Sequence, residues 1–180
     1  MKIRILVLMV AAAAVSRLLP HPLNFTPIGA MGLFGAAFFD KKWMGLVVPF
    51  AALFLTDLFV NNVVHASFYG GKFTLFTPAA WTIYAGFAAY YFIGKRAFST
   101  NINAKTMVLA AIAGSLVFFL LTNFGSFLTD PMYPKTAAGL ASAYTMGLPF
   151  LGNTVAGDLC FSGVMFGSFL FLKKQVPQLV

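Results

Sequence analysis

The sequence predicts an all-α integral membrane protein: a six-transmembrane-helix bundle with both termini on the cytoplasmic side. Three observations carry this. Apolar residues fill 60% of the 180 positions and charged residues only 9%, against about 25% charged in an ordinary soluble chain. The apolar residues gather into six stretches, parted by charged or Pro/Gly-rich breaks. The twelve Lys and Arg are then shared unevenly among those breaks. A soluble nucleic-acid binder could also carry a net charge of +8, but it would need a polar surface on which to display it. No nucleic-acid partner is expected. One cysteine, Cys160, and two histidines leave no disulfide framework and no multi-cysteine metal site, so no metal or other cofactor is expected.

Residues 3–19 form the first apolar stretch, followed by a turn containing Pro20, His21 and Pro22. Residues 27–39 form the second, so brief that it either borrows Asn24 to Thr26 or fails to span fully. The others are residues 43–60, 76–94, 106–128 and 150–172. A helix needs about 20 apolar residues to cross the hydrocarbon core. In lipid its backbone groups must be satisfied within the segment, which excludes open strands. The whole chain, residues 1–180, reads as one such domain in contact with the lipid bilayer. Residues 136–146 are too short and too mild to cross, and are expected to form a surface helix capped by Thr136. The start, with Lys2 and Arg4 before an apolar run and small residues near Ala14 and Ser16, also resembles a cleavable signal peptide. Cleavage would leave five spans.

With six spans, Lys2, Arg4, Lys41, Lys42, Lys95, Arg96, Lys105, Lys173 and Lys174 fall on one side, and Arg17, Lys72 and Lys135 on the other. The excess of Lys and Arg near span ends marks the cytoplasmic face. An internal repeat is also suggested. Phe25-Thr26-Pro27 and Phe76-Thr77-Pro78 open alternate spans, and Leu55-Thr56-Asp57 and Leu121-Thr122-Asn123 lie near the ends of the returning ones. This would set Asp57 and Asn123 at equivalent depths, as parallel repeats do in transporter folds.

At the helical rise, Arg17 and Asp57 each lie roughly 21 Å from the cytoplasmic face, and Asp158 roughly 12 Å down from Phe150. The strongly polar groups therefore crowd into the outer half. A carboxylate near the bilayer centre costs about 2.5–3.5 kcal/mol even on permissive scales, so such a group faces an interior and has a partner. Arg17 pairing with Asp57 or Asp158 would hold three helices together. The outer segments also carry His21, Asn24, Asn61, His65 and Tyr144, and the last span opens with Asn153. A pocket facing outward accounts for both sets. The candidate substrate-binding residues are Arg17, His21, Asn24, Asp57, Asn61, His65, Asn123, Tyr144, Asn153 and Asp158. None of the usual hydrolase, nucleotide or redox fingerprints occurs, so no catalytic residue is assigned and the chain is not expected to be an enzyme. Cys160 is expected to be an inert packing residue. Ala12 and Ser16 are four apart, as are Gly163 and Gly167, a spacing that lets helices approach closely.

The run Arg17-Leu-Leu-Pro-His21-Pro-Leu-Asn24-Phe-Thr-Pro27-Ile-Gly29-Ala resembles an uncharacterised family of small bacterial multi-pass membrane proteins. So do Leu55-Thr-Asp57, Leu121-Thr-Asn123-Phe-Gly and Gly152-Asn153-Thr-Val-Ala-Gly157-Asp158. The likeness covers nearly the whole chain and implies the bacterial cytoplasmic (inner) membrane. More remotely, the architecture is similar to the substrate-binding S-components of energy-coupling-factor vitamin transporters, and most to their cobalamin-specific branch. That resemblance implies capture of a vitamin or related small molecule from the outer side. It also implies energising transporter subunits docked on the first helix, here at Ala12 and Ser16. The sequence departs from that branch in having no cysteine in its outer loops.

Overall fold

Pro20, Pro22 and Pro27 keep the chain out of helix between its first two apolar stretches, and that interruption organises the rest. A computed structural model describes residues 1–177. Among them six α-helices follow one another with no β-strand: α1 (Lys2–Ser16), α2 (Ile28–Phe38), α3 (Lys42–Phe59), α4 (Ala80–Ala97), α5 (Ala104–Thr129) and α6 (Ala137–Gln175). α3 continues into a π-helical turn at Val60–Val64, and a 3₁₀ turn follows at Ala66–Tyr69. Three segments, Lys42–Val64, Ala104–Thr129 and Ala137–Gln175, are long and apolar enough to cross a membrane. Large apolar side chains such as Leu8, Leu55, Phe92 and Phe171 stand exposed around the bundle. So continuous an apolar exterior suits contact with lipid.

α2 begins at Ile28 and borrows nothing from Asn24 to Thr26. Its 11 residues reach about 16 Å, roughly half of the hydrocarbon core. This short helix is the hub of the fold. Every residue from Gly29 to Ala36 is buried, and it contacts each of the other five helices. Its Phe34 and Phe38 interleave with Phe166 and Phe169 of α6 at centroid separations of 4.4–5.8 Å, in tilted and edge-on arrangements that aromatic pairs favour. On the other flank the backbones of α2 and α3 touch. A Cβ on Gly35 would strike the Gly45 carbonyl, and a Cβ on Gly45 would strike the carbonyl of Gly35.

The helices alternate between two ends. At one end Lys2, Asp40, Asn101 and Lys173 line a single groove, with Lys2 and Asp40 paired at 2.7 Å. Nearby, Lys95 donates to the Ala36 carbonyl at 2.8 Å and Tyr91 to the Lys42 carbonyl at 2.7 Å. At the opposite end the α3–α4 connection meets the α5–α6 loop, where His65, Tyr69 and Asp130 line a shallow depression. Asn62 pins that connection, donating to the Leu58 and Thr74 carbonyls and accepting from the Thr74 N–H, all within 2.9 Å.

Three expectations need correction. Thr136 does cap a helix, accepting from the Gly139 N–H at 3.2 Å, but no separate surface helix ends near Met146. The helix runs on through Pro149 as one 39-residue α6, about 58 Å long. Gly147 and Pro149 read as a break because each disfavours helix in water, whereas packing satisfies what they leave in a bundle of this kind. The fourth helix starts at Ala80, four residues later than residue 76, because Thr77 and Pro78 form the turn before it. Cys160 is exposed rather than packed. In α1, Ala11 and Ala12 face outward while Ala13 and Ala14 are buried.

Candidate functional site

Between the α2 N-terminus and the loop-rich end lies a cavity of about 420 Å³. Each helix brings a group to it. Arg17 caps the C-terminus of α1, Gly29 lies in the first turn of α2, and Asp57 lies in the last turn of α3. Tyr90 comes from α4, Thr122 and Asn123 from α5, and Thr154 and Asp158 from α6. Ile83, Phe118, Phe119 and Phe150 supply apolar and aromatic wall, and Tyr133 comes from the α5–α6 loop.

Two carboxylates are held there in different ways. Asp57 forms an ion pair with Arg17, Nη2 to Oδ1 at 2.8 Å, with the two side chains 11% and 16% exposed. Tyr84 donates to its other oxygen at 3.1 Å. Arg17 Nη1 donates to Thr56 Oγ1 at 2.6 Å. The pair thus ties α1, α3 and α4 together, and planar guanidinium geometry suits several acceptors at once. Asp158, 2% exposed, has no cation beside it. Tyr90 donates to it in a short hydrogen bond, Ser115 donates at 2.6 Å, and its Oδ1 lies against the Gly29 backbone, where a Cβ would strike it. Asp158 therefore closes the N-terminus of α2, where the unsatisfied N–H groups and the helix dipole favour an acidic side chain.

The loop before α2 reaches this depth through a tight turn. Phe25 N–H donates to the Pro22 carbonyl at 3.0 Å, and Asn24 sits at φ 63°. That left-handed conformation is open to few side chains other than Asn. Asn153 donates to the Leu23 carbonyl at 2.9 Å, and α6 comes against Thr26 at Gly157, where a Cβ would stand 2.9 Å from the Thr26 nitrogen. The pair Gly157-Asp158 thus has two uses. The glycine admits the loop, and the aspartate caps the helix that follows it.

Of the ten residues singled out from sequence, Arg17, Asn24, Asp57, Asn123 and Asp158 line the cavity. The other five stand apart from it. His21 is exposed and its ring lies against the Pro22 and Arg17 carbonyls, at 2.9 and 3.2 Å. Asn61 lies in the π-helical turn, and its neighbour Asn62 makes the structural bonds. His65 borders the separate depression, edge-on to Phe68. Tyr144 braces α6 on α5, donating to the Leu120 carbonyl at 3.0 Å. Asn153 acts one step back, through the loop. The sequence reading missed Tyr90, Tyr84 and Ser115, which hold the carboxylates. A tyrosine three turns into an aromatic helix gives no sign of its partner until the fold brings α6 to it. Among the described residues, no three His, Cys, Asp or Glu side chains gather as a metal site would require.

Fold and site together define a helical protein of membrane type with a polar-floored cavity at one end of its bundle. The chain belongs to a family of unknown function, DUF6580, whose profile matches residues 1–179. No curated protein and no solved structure matches it.

Proposed function

We propose that this chain is a membrane-embedded solute-binding protein. It has six spans with both termini in the cytoplasm, and it captures a small molecule from the outer side of a bacterial cytoplasmic membrane for uptake. The observation that carries this reading is the cavity of about 420 Å³, within the range of small-molecule sites and built in their manner, with a few placed polar groups in an aromatic and apolar wall. The topology is supported by the nine basic residues assigned to one side and by the groove that Lys2 and Lys173 share at one end. The chain carries no nucleotide-binding motif, so uptake would draw on separate energising subunits. Their docking place is the outward face of α1, where Ala12 is exposed and small side chains allow close helix contact. In this account the solute resembles a vitamin in size and in its mix of ring and polar groups.

Mass spectrometry of small molecules released from the purified protein tests the reading, followed by thermal shift against a vitamin panel. A defined compound recovered with the protein, and a rise in unfolding temperature when it is added back, are expected. Asp158→Asn and Asn153→Ala should weaken its binding about tenfold or more. Recovery of nothing, with no shift across the panel, would turn the assignment to a second reading, a structural or assembly protein. One observation favours that alternative. Arg17, Asp57, Tyr84 and Thr56 are bonded to one another, as a cluster that only locks helices would be.

A further inference from the structure

Several donors on the cavity wall are given to the protein itself, while Arg17 Nε and the side chains of Asn24, Thr26, Ser126 and Tyr133 give none to the described residues. Thr122 and Thr154 give their hydroxyl hydrogens to the Phe118 and Phe150 carbonyls, at 2.8 and 3.0 Å. Asn123 gives an amide hydrogen to the Phe119 carbonyl at 2.8 Å. Tyr90 donates to Asp158, and Arg17 donates to Asp57 and Thr56. A hydroxyl that has given up its hydrogen still offers lone pairs, and a carboxylate offers nothing else. The lone pairs of these groups are open to a donor from a ligand.

Charge on the wall is uneven. One guanidinium stands against two carboxylates on the wall, and that guanidinium is already paired with Asp57. Among the described residues no second Lys or Arg lines the cavity. Two neutral donors, Tyr90 and Ser115, meet at Asp158, and neither balances its charge. A space partly closed to water strengthens an ion's attraction to such a group, and the faces of aromatic rings such as Phe118, Phe119 and Phe150 also attract cations.

We infer that the ligand of this cavity is a small organic cation, a ring compound bearing an amine- or amidine-type nitrogen, with its charged N–H groups directed to Asp158. The inference rests on the solute-binding reading and names the class of solute it takes. An anionic compound is disfavoured because it would face two carboxylates, with only Arg17, already paired with Asp57, to offset them.

Three probes of nearly equal shape separate the possibilities: benzamidinium, benzamide and benzoate, titrated against the detergent-solubilised full chain by ligand-observed NMR. Benzamidinium should bind about tenfold tighter than benzamide, with benzoate weaker still. Asp158→Asn should bring the benzamidinium-to-benzamide ratio near one. Asn123→Asp adds a carboxylate to the same wall, and it should widen the ratio even if the Asp158 variant does not fold. Equal binding of all three probes, or preference for benzoate, would overturn the cationic class and leave the solute-binding reading standing. No saturable binding of any probe would count against both.

Discussion

Arg17→Met should lower the stability of the bundle by about 3 kcal/mol, the scale for removing one partner of a buried ion pair. The pair is shielded, with Arg17 and Asp57 11% and 16% exposed. Tyr84 alone would be left to satisfy Asp57, and the Thr56 hydroxyl would lose the donor from α1. The double variant Arg17→Met/Asp57→Leu removes the orphaned charge and should recover much of the loss, because an apolar pair of similar size can replace a buried ion pair at little cost. Denaturant-induced unfolding in detergent, read by circular dichroism, measures both. If the double variant proves no more stable than the single one, the pair is not the tie between α1 and α3 described above.

Gly35→Val should be at least as damaging, through packing alone. The Cβ would meet the Gly45 carbonyl across the α2–α3 contact and also the Pro49 ring, at 2.9 Å. Both obstacles belong to a helix backbone or to a ring fixed to it, so neither side can yield by a rotamer change. Forcing added atoms into a tight core costs about 1–3 kcal/mol and occasionally more. The upper end is expected here because α2 touches all five other helices. Gly163→Val supplies the control, since nothing lies within 4 Å of a Cβ at that position. The control should unfold like the wild type, and Gly35→Val should unfold at markedly lower denaturant.

Membrane character was legible from composition, and the gathering of polar groups toward one end was legible from depth along each stretch. That Arg17 pairs with a carboxylate could be foreseen because a charge at that depth needs a partner, but not that it meets Asp57 rather than Asp158. Which face of each helix turns inward could not. Lipid and protein interior are both apolar, so the periodicity that marks a buried face in a soluble helix fades. Tyr90 and Ser115 illustrate the loss. They lie far from Asp158 along the chain, and only the packing of α4, α5 and α6 brings them to it. His65 and Asn61 illustrate the opposite error, since polar residues near a helix end suggest a pocket even where they serve the connection between helices. The half-length α2 was visible as a shortfall of apolar residues. That its N-terminus meets Asp158 required the turn at Asn24 and the close approach at Gly157.

The central claim is that the cavity exists to hold a solute, and filling it tests that claim most directly. Thr122→Trp and Ser126→Trp each place a large ring on the cavity wall. The measurement is the amount of small molecule recovered per mole of folded, purified protein, for the wild type and for these two variants side by side. The solute-binding account predicts a defined compound from the wild type and almost none from either filled variant, with the variants folded. Equal recovery from all three proteins, or none from the wild type, would contradict it.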